Sequence, residues 1–150
     1  MTDSASLKRA RAEFSSCISS SKEDSLTFEN CADLTYLGYV IQESLRLNPP
    51  ASGTSMYHFD KDTQLSKKLR LKAYDYIMVN NLGLHMNANQ WQRPFEFQPD
   101  RFDISHPLSR TPNGGKRHSF AWAPFSGGKR ICFGKTFAEN VLKITTTMMI

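Results

Sequence analysis

The chain has 150 residues, 39% of them hydrophobic and 22% charged, with a formal net charge of +5. That is an ordinary soluble composition at a length that supports one domain with a real core, burying about 68–70% of the unfolded surface. No apolar run approaches the roughly 18 residues of a membrane-spanning helix, and three scattered cysteines with no Cys-x-x-Cys pair leave a zinc site unsupported. The odd cysteine count, with no signal peptide in view, points to a reducing compartment.

Residues 4–18 read as an amphipathic helix, with Leu7, Ala10, Phe14, Cys17 and Ile18 on one face and Lys8, Arg9, Arg11 and Glu13 elsewhere. A polar break at 19–24 separates it from a second helix expected over 31–47, starting near Cys31 with Asn30 as N-cap. Its apolar stripe is Leu34, Leu37, Ile41 and Leu45, with Val40 alongside, and Asn48-Pro49-Pro50 ends it. Glu43 and Arg46, three apart, are neighbours on that helix; in water such a pair is worth about 0.2–0.5 kcal/mol.

Residues 53–82 change character. Met56, Tyr57 and Phe59, then Leu69 and Leu71, then Tyr76 to Val79 predict short strands of a small antiparallel sheet. Basic residues gather at Lys67, Lys68, Arg70 and Lys72, and again at Arg110, Lys116 and Arg117. No nucleic-acid recognition motif accompanies them, so they read as solvated faces and nucleic acid is not an expected partner. A short helix is expected over 82–91, where His85, lacking a carboxylate or nucleophile partner, reads as structural. Trp91, Pro94, Phe95, Phe97, Pro99 and Phe102 mark 91–102 as an ordered loop packed on the core, and its arginine is Arg101. Residues 103–118 read as a surface loop.

Phe125-Ser126-Gly127-Gly128-Lys129-Arg130-Ile131-Cys132-Phe133-Gly134 is the centre of the chain. Glycine-flanked loops can aim several N–H groups at one point, making an anion-binding nest. The anion expected there is the Cys132 thiolate, the form of cysteine that ligates metals. Arg130 carries a fixed charge suited to a carboxylate, and Phe125 offers a flat apolar wall. A charged sulfur, a carboxylate partner and an apolar wall are what a haem with a cysteine axial ligand needs. A closing helix over 135–150 is predicted, with Phe133, Phe137, Val141, Ile144 and Met148 as apolar stripe and Lys135, Glu139 and Lys143 on an exposed face.

Phe-x-x-Gly-x-Arg-x-Cys-x-Gly, as Phe125, Gly128, Arg130, Cys132 and Gly134, resembles the haem-binding loop of the cytochrome P-450 superfamily. At about five per cent usage per residue type, chance agreement at five places is on the order of one window in three million. Two further segments are similar to the superfamily in motif order. Glu43-Ser44-Leu45-Arg46 before Pro49-Pro50 looks like its Glu-x-x-Arg helix, and Phe97-Gln98-Pro99-Asp100-Arg101-Phe102 looks like its aromatic-arginine segment, with Asp100 where glutamate is usual.

The resemblance implies a mainly α fold with a small antiparallel β-sheet, the C-terminal, proximal part of the cytochrome P-450 fold. It implies haem as cofactor, iron ligated by Cys132, a cofactor loop of Phe125, Gly128, Arg130, Cys132 and Gly134, and a structural network of Glu43, Arg46 and Arg101. It also implies an electron-donor protein of the reductase or ferredoxin type, docking on a basic cysteine-side surface, and a small organic substrate that receives oxygen. Full-length relatives are usually membrane-anchored with a cytosolic catalytic domain. The likeness covers only the C-terminal third of a typical member, without the distal helix and its acidic-threonine pair, so 1–150 is expected to be part of a domain and inactive alone. Met56 and Tyr57 stand in the vicinity where relatives often carry a propionate-binding arginine; His58 nearby reads as an ordinary strand histidine, with substitution for that arginine as the alternative, and Met86 replaces the arginine of a usual His-Arg pair. The alternatives are a non-catalytic remnant or incomplete gene product that keeps the loop, and a haem-thiolate isomerase. Loop insertions mark some of those isomerases and are absent here.

Overall fold

The computed structural model of the chain describes residues 4–20 and 33–150. The architecture is mainly α with a small antiparallel sheet. Helices are α1 (Ser4–Ser20), α2 (Thr35–Leu47), α3 (Asn81–His85) and α4 (Lys135–Met149), and strands are β1 (Thr63–Ser66) and β2 (Leu69–Leu71). Short 3-10 turns at Pro99–Phe102, Pro107–Ser109, Ser119–Ala121 and Gly128–Arg130 punctuate the long connection to α4.

The core forms where α1 meets α2. Ala10 is buried with Leu34, Tyr36, Leu37, Ile41 and Leu45, and Phe14, Cys17, Trp122, Phe125, Leu142 and Ile150 pack around them. The expected N-cap Asn30 and Cys31 lie outside the described residues. Asp33 and Leu34 are not helical, α2 starts at Thr35, and Leu34 makes no side-chain cap bond. The first N–H groups of any helix lack internal acceptors. Here Glu13 of α1 supplies them: Oε1 accepts from Tyr36 N at 2.7 Å and Oε2 from Leu37 N at 2.9 Å. A carboxylate at this end also suits the helix dipole.

The sheet differs from the expected one. Its continuous strands are β1 and β2, paired Thr63↔Leu71, Gln64↔Arg70 and Ser66↔Leu69. β1 lies where no strand was predicted. The segments around Tyr57 and Ile77 do meet antiparallel, but only through isolated bridges at Tyr57↔Ile77 and Gly53↔Asn80. Thr54 explains the break: its Oγ1 accepts the Val79 N–H at 3.0 Å, replacing a backbone acceptor. The helix expected over 82–91 stops at His85. Asn80 caps its start by accepting from Gly83 N at 2.9 Å. Beyond Met86, Asn87 turns the chain, its Oδ1 accepting from Asn89 N and its carbonyl from Gln90 N and Trp91 N.

α4 is rotated relative to expectation. Leu142 and Ile150 join the core, and Thr147 is the helix's buried residue. Lys135, Glu139 and Lys143, predicted to be exposed, instead line a polar groove of about 430 Å³ against Thr35, Gly38 and Gln42 of α2. Phe133, Phe137, Val141 and Met148, the predicted apolar stripe, are exposed, and only Ile144 is half-buried. Docking through the 142, 147 and 150 positions turns that stripe toward solvent.

Candidate functional site

The site has two parts joined by a buried strut. The first part is a charged cluster under α2. Glu43, Arg46 and Arg101 are each 0% exposed. Arg46 donates through Nε to Glu43 Oε2 at 2.7 Å and through Nη2 to Oε1 at 2.9 Å. Arg101 Nε donates to Glu43 Oε1 at 2.9 Å, and Gln98 N donates to the same oxygen. One carboxylate cannot satisfy two guanidiniums, each with five donors. The 92–96 loop supplies the other acceptors: Arg46 Nη1 reaches Pro94 O at 2.6 Å, Arg101 Nη1 reaches Gln92 O at 2.7 Å, and both arginines reach Glu96 O. Burial lowers the Arg101 pKa, opposed by the neighbouring Glu43.

A third guanidinium, missed at the sequence level, completes this cluster. Arg117 is grouped by the sequence with Arg110 and Lys116 on a solvated basic face. Instead it stacks 4.2 Å over the ring of buried Trp91 and donates to Leu108 O and Arg101 O. Burial and the Arg101 charge push its pKa down to about 10. The aromatic content of 91–102 was a cue that a cation could be sheltered there.

The second part is the cysteine loop, carried between the turn at Ser119–Ala121 and α4. Cys132 N donates to Phe125 O at 2.9 Å, closing the loop on itself, and Ile131 N donates to Gly128 O at 3.2 Å. Gly128 has φ +67, where a side chain would strain the backbone. At Gly127 a Cβ would lie 2.4 Å from Phe120 Cε1, so any side chain there would displace the Phe120 ring. Gly134 occupies the N-cap position of α4, and a Cβ there would lie 3.8 Å from Cys132 Sγ. Glycine therefore leaves that side of the sulfur uncovered. Cys132 is an exposed free thiol at the start of α4, flanked by exposed Ile131 and Phe133.

Arg130 is exposed, makes no ion pair among the described residues, and lines a cleft of about 270 Å³ with Tyr57, Val79, Leu84 and Phe120. Asn81 also lines this cleft, and its Oδ1 is a buried polar atom without a partner. His58 lies outside that lining, with Asp60 at 3.5 Å and the rings of Tyr74 and Tyr76 beside it. The donor set suits a haem with one protein ligand: an exposed cysteine flanked by exposed Ile131 and Phe133, and on the same loop an arginine with no ion pair among the described residues.

His85 links the two parts. Fully buried, it accepts from Ala123 N at Nε2 (2.9 Å), which leaves the proton on Nδ1, 3.2 Å from Arg46 O. Arg46 Nη1 in turn donates to His85 O at 2.9 Å. Burial lowers the His85 pKa, against the hydrogen bond to the Arg46 carbonyl, which raises it, and a ring whose Nε2 accepts from Ala123 N is neutral.

A family model described as cytochrome P-450 matches residues 1–150. Cytochrome P-450 4A24 of Sus scrofa is 36% identical over 124 residues, covering 83% of this chain and 23% of that protein. The taurochenodeoxycholic 6 alpha-hydroxylase of Sus scrofa is 34% identical, with the same coverage of 83% and 23%. The probable cytochrome P-450 4p2 of Drosophila melanogaster is 34% identical over 79% of this chain and 21% of its own length. The chain belongs to the cytochrome P-450 family. It spans about a quarter or less of the length of these relatives. Among the described residues no helix is long and apolar enough to cross a membrane.

Proposed function

We propose that this chain is the cysteine-bearing, proximal part of a haem-thiolate monooxygenase, with Cys132 as the axial ligand of the haem iron. When bound, haem ligated by a thiolate, as in this superfamily, supplies activation of O2 for oxygen insertion into an organic substrate. The observation that carries the reading is the uncovered Cys132 sulfur at the start of α4, on a loop closed by the Cys132 N–H to Phe125 O bond. Phe125 packs the loop against the core, Gly128 and Gly134 give it its turn and its open face, and Arg130 is free to meet a propionate. Glu43, Arg46 and Arg101 hold the scaffold behind it. An acidic electron-donor protein would dock on the basic side of the loop that exposed Lys129 presents. The substrate is a small organic molecule.

The reduced carbon-monoxide complex of the full-length protein is expected to show the red-shifted Soret band of thiolate ligation, and Cys132→Ser to abolish it. A band that survives in the variant removes Cys132 as ligand and leaves Cys17 or Cys31.

A further inference from the structure

The segment just before the cysteine loop is held at three consecutive residues. Ala121 O accepts from Trp91 Nε1 at 3.3 Å. Trp122 Nε1 donates to Gln42 O of α2 at 3.2 Å. Ala123 N donates to His85 Nε2 at 2.9 Å. Ala123 is the last residue before Pro124, which has no N–H, so its amide is the final backbone donor available to anchor the chain ahead of Phe125. From there the bonds continue inward: Ser126 N donates to Ala123 O at 3.1 Å, and Cys132 N donates to Phe125 O at 2.9 Å.

Among the described residues, His85 has no other polar partner for its ring than these two backbone groups, Arg46 O and Ala123 N. Its carbonyl is meanwhile gripped by Arg46 Nη1. Arg46 and His85 thus bond each other reciprocally, side chain to backbone in both directions. His85 is thus bonded both to Arg46 of the Glu43 cluster and to the segment that enters the cysteine loop.

We infer that His85 is a positioning residue for Cys132: its neutral ring is the strut that transmits the placement of the Glu43–Arg46–Arg101 cluster to the cysteine loop. This goes beyond a core histidine that merely fills space, because both ring nitrogens are engaged and they bridge two separate segments. It rests on the proposed axial role of Cys132 for its functional meaning, but not for its structural content.

The test compares His85→Phe, which keeps a ring of similar volume and no acceptor, with His85→Gln, whose amide oxygen can take the place of Nε2. Amide hydrogen exchange is followed in the haem-free full-length protein, and the reduced carbon-monoxide spectrum after haem is added. In His85→Phe, exchange at Ala123 and Cys132 should rise about tenfold or more relative to α1 amides, the factor expected when a buried N–H loses its acceptor. The red-shifted Soret band should fall in the same variant, and His85→Gln should restore most of both. Parental exchange in His85→Phe, or equal losses in both variants, would overturn the assignment. If His85→Phe does not fold, a folded His85→Gln with unprotected Ala123 overturns it equally. Failure of the axial-ligand proposal would look different: an unshifted Soret band in the unsubstituted protein, with the exchange pattern unchanged.

Discussion

Glu43 is the residue on which most of the buried charge depends. Its two oxygens receive four donors, from Arg46 Nε and Nη2, Arg101 Nε and Gln98 N. Removing it leaves two guanidiniums in a dry interior with backbone carbonyls and the Met86 sulfur as their acceptors, and Arg117 stacked on the same Trp91. Breaking a buried pair from one side costs roughly 3–5 kcal/mol. Glu43→Ala is therefore expected to lower the denaturant midpoint by an equivalent amount and, on the proposed haem ligation, to weaken haem retention. A variant with parental stability would show that the carbonyls of the 92–96 loop suffice for the arginines.

At the scale of elements, the α1–α2 junction is decided by one side chain. Glu13 is the acceptor for the second and third N–H groups of α2, where a local cap is missing. Replacing a capping acceptor typically costs about 0.5–2 kcal/mol. Glu13→Ala should destabilise the protein within that range and fray the first turn of α2, read by faster exchange at Tyr36 and Leu37. Glu13→Gln should recover part of the loss, since it keeps an acceptor and gives up the charge that complements the helix dipole. Equal behaviour of both variants and the parent would mean that packing of Tyr36 and Leu37 alone sets the start of α2.

For the whole molecule, the exposed face of α4 matters most. Phe133, Phe137, Val141, Met148 and Met149 stand in water beside exposed Ile131, next to the only ligand proposed for iron. At about 25 cal/mol per Å², leaving on the order of 300 Å² of apolar surface uncovered forfeits about 7 kcal/mol. That compares with roughly 5–15 kcal/mol for the stability of a typical domain. The 150 residues expressed alone are thus expected to unfold without a cooperative transition, to associate through α4, and to give no product with haem and an electron source. A cooperative fold with stoichiometric haem and coupled substrate oxidation would show that this part suffices by itself. A haem held from one side only would be open to water, which is the physical reason to expect otherwise.

Local pattern was enough for much of this. The spacing of glycines, arginine and cysteine in 125–134 needed no tertiary information, because a tight turn before a helix is specified by nearby residues. The three-residue spacing of Glu43 and Arg46 likewise made them neighbours on any helix, and the apolar stripes of α1 and α2 identified the faces that meet in the core. What only the tertiary structure decided are relations between segments far apart in the chain. Glu13 reaching the start of α2, Arg117 stacking on Trp91, and His85 bridging Arg46 to Ala123 leave no periodic trace, since each joins one polar atom to one distant partner. The orientation of α4 belongs to the same class: amphipathicity marked two faces, and docking through Leu142, Thr147 and Ile150 chose which of them met α2. Periodicity reports how a helix could be buried; the shape of its partner determines how it is.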